Sequence, residues 1–144
     1  MGRTILAVIA GLVVMWLTIF ALEFVGHAMF PPPPGLNPQN QADLAAIMAQ
    51  APTGAMVMLV VAWIAGAFTG GFTAAKISHR HKRGPAIAVA LFVMAGVCGM
   101  IFLVPDHPVW VSALGLILPI PTALLAARVA TGQISGRNAV TPPN

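Results

Sequence analysis

Residues 85–104 read PAIAVALFVMAGVCGMIFLV, a run without a charged side chain. A helix rises about 1.5 Å per residue, so such a run spans the apolar core of a bilayer, which is about 30 Å thick. Residues 4–26, 55–77 and 109–129 form three more apolar runs, each with one charge near an end. The sequence therefore predicts an all-α protein, a four-helix transmembrane bundle.

The composition supports this fold class. Of 144 residues, 58% are hydrophobic and 7% are charged, whereas soluble domains carry about 25% charged residues. The length suits one integral membrane domain, residues 1–144. The net charge of +4 does not indicate nucleic-acid binding, because the basic residues flank apolar runs without an aromatic platform for bases. The expected partner is the lipid bilayer.

The charges predict the orientation. With four spans, one side of the membrane receives every basic residue, and the other side receives residues 27–54 and 105–108, which lack Lys and Arg. The basic residues are Arg3, Lys76, Arg80, Lys82, Arg83, Arg128 and Arg137. The positive-inside rule then places both termini in the cytoplasm. A cleaved signal peptide is the alternative for the N-terminus, but the first run is too long for one and contains Glu23.

The outer loop, residues 27–54, contains two features. Pro31 to Pro34 favour a stiff polyproline II arm, which either carries the chain outward or binds a partner's groove. Asn40 followed by Asp43 then resembles a capping box, and an apolar stripe of Leu44, Ile47 and Met48 follows. We expect a short interfacial helix on the outer leaflet or on the mouth of the bundle.

Small residues predict where helices pack, since close backbone approach favours helix association in lipid. In the second span they recur at intervals of four, at Ala62, Gly66, Gly70 and Ala74. This face is expected to pack inside the bundle, with a homodimer interface as the alternative. Ala7 and Gly11 in the first span, and Ala95 and Gly99 in the third, are the expected partners.

Three other residues carry structural expectations. Pro119 and Pro121 lie in the middle of the fourth run and should kink its helix, since proline lacks the N–H that the hydrogen-bond ladder needs. Cys98 is the chain's single cysteine, so no internal disulfide forms. We expect its thiol to be buried and inert.

One set of side chains can carry chemistry. Glu23 and His27 are four residues apart and share a helix face, and Asp106 and His107 lie in the turn between spans three and four, on the same side. If they converge, they can bind zinc or another divalent metal, or Glu23 and a histidine can exchange a proton. The alternative is that all four are merely solvated. No other cofactor is predicted.

The segment Glu23-x-x-x-His27-x-x-Phe30 followed by Pro31-Pro-Pro-Pro-Gly35 resembles a pattern in small bacterial four-span membrane proteins to which no activity is assigned. The resemblance covers about a dozen residues and implies a bacterial source, and thus the cytoplasmic (inner) membrane. It implies no mechanism.

The sequence contains no nucleophile–base pair, P-loop, dinucleotide fingerprint or zinc-protease motif. We therefore expect a non-enzymatic accessory or scaffold subunit of a larger membrane assembly, with a membrane-protein partner or a homo-oligomer. The alternative is a small transporter or a metal- or proton-handling protein that uses Glu23, His27, Asp106 and His107.

Overall fold

The computed structural model describes residues 2–37, 39–78, 82–104 and 108–132. In this part of the chain the helices are α1 (Gly2–Met29), α2 (Gln41–Gln50), α3 (Thr53–Ile77), α4 (Arg83–Leu103), α5 (Val109–Ile117) and α6 (Pro119–Ala130), and there is no strand. Helices α1, α3 and α4 and the consecutive pair α5–α6 are long and apolar enough to cross a membrane. The predicted all-α fold with four potential membrane-spanning helices is confirmed.

The helix bounds follow the apolar runs closely, and the largest difference is at the end of α1, which continues to Met29. The fourth run is divided at its first proline. Helix α5 ends at Ile117, α6 begins at Pro119, and Leu118 between them keeps a helical backbone, with φ −79° and ψ −29°. The ladder bond that residue 119 would donate is missing, because proline has no N–H.

The helices alternate in direction. Gly11 of α1 lies beside Ala74 of α3, whereas Gly26 of α1 lies beside Met58, so these two helices are antiparallel. Helix α4 is antiparallel to α3 in the same way, and α5–α6 runs parallel to α3. The start of α1 and the end of α6 therefore lie at one end of the bundle.

This arrangement separates the charges. We call the two ends the basic end and the Glu23 end. Five described basic residues lie at or near the basic end: Arg3, Lys76, Lys82, Arg83 and Arg128. The two described carboxylates, Glu23 and Asp43, lie towards the opposite end, because Glu23 is in the last two turns of α1 and Asp43 is in α2, between α1 and α3.

Helices α1 and α3 pack through small residues. A Cβ on Gly70 would lie 2.6 Å from the carbonyl oxygen of Gly11, and one on Gly66 would lie 2.5 Å from the Ile19 side chain. Ala62 and Ala74 are also buried. The predicted stripe of Ala62, Gly66, Gly70 and Ala74 is thus inside the bundle, and α1 of the same chain covers its glycines.

The centre of the bundle is filled from several helices. Trp63 of α3 is only 6% exposed, and a Cβ on Gly115 of α5 would lie 2.6 Å from its ring. Towards the basic end, the core consists of alanines from α3, α4 and α6 and not of larger side chains. These alanines are Ala75, Ala86, Ala90, Ala123, Ala127 and Ala130. Small side chains allow these three helices to lie close together.

Two expectations about α4 are wrong. Ala95 is exposed, and a Cβ on Gly99 would meet no atom within 4 Å, so these residues do not pack inside the bundle as Ala7 and Gly11 do. Cys98, expected to be buried, is exposed on the same face. The cause is that α4 is apolar on every side, so small residues alone do not identify the face that packs.

Candidate functional site

A cavity of about 540 Å³ lies at the Glu23 end of the bundle. Its walls come from the last turns of α1, the prolines that follow, α2, the first turns of α3, and the end of α4. The local sequence forms this shape because the prolines end α1 and lead the chain away from it, and α2 then returns over the opening. We call this space the Glu23 cavity.

Helix α2 closes one side of the cavity and is held by its cap. The Asn40 side chain accepts a hydrogen bond from the backbone N–H of Ala42 at 3.1 Å. The Asp43 carboxylate accepts from the Asn37 backbone N–H at 3.1 Å and from the Asn40 amide at 3.2 Å. Met48 packs on the bundle's core. The apolar side chains of α2, Leu44, Ile47 and Met48, therefore line the cavity.

His27 lines the cavity with a fixed ring. Its Nδ1 lies 2.8 Å from the backbone carbonyl oxygen of Glu23, one turn earlier in α1. A carbonyl oxygen only accepts hydrogen bonds, so Nδ1 carries the hydrogen. In a neutral ring, Nε2 is then the free acceptor. The ring can accept a proton or bind a ligand through that atom.

Glu23 lines the same cavity with a half-buried carboxyl group. Its carboxylate accepts no hydrogen bond from the residues that the structure describes, and His27 is its electrostatic partner among them. A carboxylate without hydrogen bonds in an apolar setting is costly, so it favours a donor or a cation beside it.

Half of the predicted cluster is thus located. Glu23 and His27 lie together at the cavity, whereas Asp106 and His107 lie outside the described residues. Val104, at the end of α4, lines the cavity as well. Within the described ranges, no three His, Cys, Asp or Glu side chains come together as a metal site. The four-residue divalent-metal site stays a prediction.

The sequence analysis missed most of the cavity wall. Half of the chain's eight methionines line it: Met48, Met56, Met58 and Met100. The Phe30 ring lines it too and occupies the space beside Gly54. Methionines close to the ends of three predicted helices were an available signal, but only the folded chain brings them together.

A second surface of interest lies on α4, where Ala95, Gly96, Cys98 and Gly99 face outward. We call it the α4 small-residue surface. A Cβ on Gly96 or Gly99 would meet no atom within 4 Å. Phe92, 57% exposed, and Phe102, 87% exposed, lie on either side of it along the helix. It is a shallow apolar surface on which another helix can approach closely.

No family model, curated protein or solved structure matches the chain. The Glu23 cavity and the α4 small-residue surface are therefore interpreted from their own chemistry.

Proposed function

We propose that this chain is a non-enzymatic, multi-pass protein of the bacterial cytoplasmic (inner) membrane, with both termini in the cytoplasm, and that it serves as an accessory subunit of a larger membrane assembly. The distribution of charge supports the orientation, because the described Lys and Arg side chains lie towards the basic end and basic residues favour the cytoplasmic side.

The α4 small-residue surface carries the proposal of a partner. In lipid, exposed apolar side chains alone do not bring helices together, whereas glycines that permit close backbone contact do. Gly66 and Gly70 of α3 are covered by α1, but no described residue lies over Gly96 and Gly99. A transmembrane helix of another protein would complete the same kind of contact there.

Cys98 offers a direct test, because it is the only cysteine of the chain and is exposed on this surface. A photo-activated cross-linker on Cys98 should join the protein in native membranes to one larger membrane protein. The same complex should survive purification in mild detergent. Gly96→Leu should abolish both results, because the leucine would occupy the space of the partner helix.

The matched control is Leu125→Phe, which adds bulk on an exposed position of α6 and should leave the complex intact. Recovery of a lone monomer under every gentle condition contradicts the proposal. So does a cross-linked product that Gly96→Leu leaves unchanged.

A second candidate function is a small transporter or a metal- or proton-handling protein. The location of Glu23 and His27 on one cavity favours it. It predicts that Glu23→Gln abolishes metal binding or proton flux in liposomes while the fold stays intact. Equal flux and equal metal binding in the parent and the variant would exclude it.

A further inference from the structure

We propose that the Glu23 cavity binds an amphiphilic organic cation, whose charged group pairs with the Glu23 carboxylate while its apolar part contacts Phe30 and the surrounding methionines. The proposal deepens the second candidate function, since it names a ligand class for the same site. It stands on the cavity's size, its lining and its charge.

The size suits an organic molecule. At about 540 Å³, the cavity lies within the range of ligand pockets, roughly 300–1,000 Å³, and is far larger than a metal ion needs. The walls are apolar and adaptable. Methionine side chains are flexible and polarisable, and they adjust to apolar ligands of differing shape.

The charge selects a cation. Among the described residues of the cavity wall, Glu23 supplies the only carboxylate, and there is no Lys or Arg. No described group donates a hydrogen bond to this carboxylate. A ligand cation would therefore not have to displace a protein donor from it. The Phe30 ring adds an electron-rich face that attracts cations.

His27 is held in place beside this site. Its Nδ1–H is engaged by the Glu23 carbonyl oxygen, so this hydrogen is not available to the Glu23 carboxylate. An anionic ligand would meet the Glu23 carboxylate, and no described wall residue is a Lys or Arg that would offset the repulsion. The cavity therefore discriminates by the sign of the ligand's charge.

The test uses a matched pair of probes with the full-length protein in a nonionic detergent. Tetraphenylphosphonium and tetraphenylborate have nearly the same shape and opposite charge, so they separate charge recognition from apolar burial. Equilibrium dialysis should show saturable binding of tetraphenylphosphonium at one site per chain. Tetraphenylborate should bind at least tenfold more weakly.

Glu23→Gln keeps the side chain's shape and should weaken tetraphenylphosphonium binding at least tenfold. Asp43→Asn removes a carboxylate that does not line the cavity. The new amide oxygen still accepts hydrogen bonds, so tetraphenylphosphonium binding should stay within about twofold of the parent. Gly26→Leu keeps the charge but fills the cavity, and a Cβ there meets only Met58, at 3.7 Å. It should also abolish binding.

The variants are compared only as monodisperse, helical samples. If Glu23→Gln does not fold, the binding measured for Gly26→Leu decides the test. Equal binding of the two probes shows a lipid-like apolar site and overturns the proposal, as does unchanged binding by a folded Glu23→Gln or Gly26→Leu variant. Zinc binding or proton flux without cation binding also overturns it. Binding without transport in liposomes supports the ligand and contradicts only the transporter.

Discussion

At the scale of single residues, Gly70 lies where the backbones of α1 and α3 approach each other. A methyl group there would lie 2.6 Å from the Gly11 carbonyl oxygen, a backbone atom that cannot move aside without shifting its helix. We expect Gly70→Ala to destabilise the folded bundle by about 1–3 kcal/mol, as overpacking does. A denaturation titration in detergent measures this change.

The control for Gly70→Ala is Gly96→Ala, the same substitution in another apolar helix. A Cβ on Gly96 meets nothing within 4 Å, so its stability should change little in a monomeric sample. If the two variants unfold alike, helix propensity governs these positions and the close approach of α1 and α3 contributes nothing.

Thr18 and Thr69 join α1 to α3 through their hydroxyl groups, 2.9 Å apart. Each hydroxyl also lies 2.9 Å from a carbonyl oxygen of its own helix, Val14 or Ala65. A hydroxyl has one hydrogen, so one of these threonines must leave its carbonyl to donate across the interface. The donor regains its own carbonyl when the other hydroxyl is removed.

Because the donor hydroxyl can return to a carbonyl of its own helix, the Thr18–Thr69 hydrogen bond adds little to the stability of the bundle. A double-mutant cycle of Thr18→Val and Thr69→Val should give a coupling energy of about 0.6 kcal/mol, in the range of polar contacts between membrane helices. Denaturation midpoints of the four proteins supply the measurement. A coupling above about 2 kcal/mol would mean that neither hydroxyl has the local alternative that the geometry offers.

At the scale of elements, α2 depends on its cap more than the long helices do, because isolated helices of about ten residues are marginal. Asn40→Ala removes the acceptor for the Ala42 N–H, which costs about 1 kcal/mol and should speed amide hydrogen exchange in α2 roughly fivefold. Gln41→Ala, whose side chain caps nothing, is the control. Equal exchange in both variants would show that packing on the bundle alone holds α2.

The elements also show what the sequence can predict. The four candidate spans were predictable because each is an apolar run of sufficient length. The loss of ladder hydrogen bonds in the fourth run was also predictable, because Pro119 and Pro121 lack N–H groups. The face of each span that packs inside the bundle was not predictable. In α3 the small residues Gly66 and Gly70 point inward, and in α4 Ala95 and Gly99 point outward, although both helices are apolar all round.

The same reasoning applies to the candidate site. The spacing of Glu23 and His27 placed them on one face of α1, and α1 indeed brings both to the cavity. The methionine wall was not predictable, because it joins α2, α3 and α4 through tertiary packing. Whether Asp106 and His107 join the site stays a prediction, as both lie outside the described residues.

At the scale of the whole molecule, the separation of charge predicts which end of the bundle faces the cytoplasm. Gln41 in α2 and Gly84 in α4 are both exposed and uncharged, and they lie at opposite ends. In a Cys98→Ser background, we expect a membrane-impermeant maleimide to label Gln41→Cys in intact spheroplasts. Gly84→Cys should react only after permeabilisation, since five described basic residues favour retention of that end inside.

Neither cysteine substitution alters the charges that set the orientation, so labelling reports the native threading of the chain. The reverse pattern would place the Glu23 cavity on the cytoplasmic side, and a cationic ligand would then have to come from within the cell. Labelling of both positions in intact spheroplasts would contradict four complete crossings. Because the negative-inside membrane potential pulls cations towards the cytoplasm, the expected orientation places Glu23 where an external cation first meets the bundle.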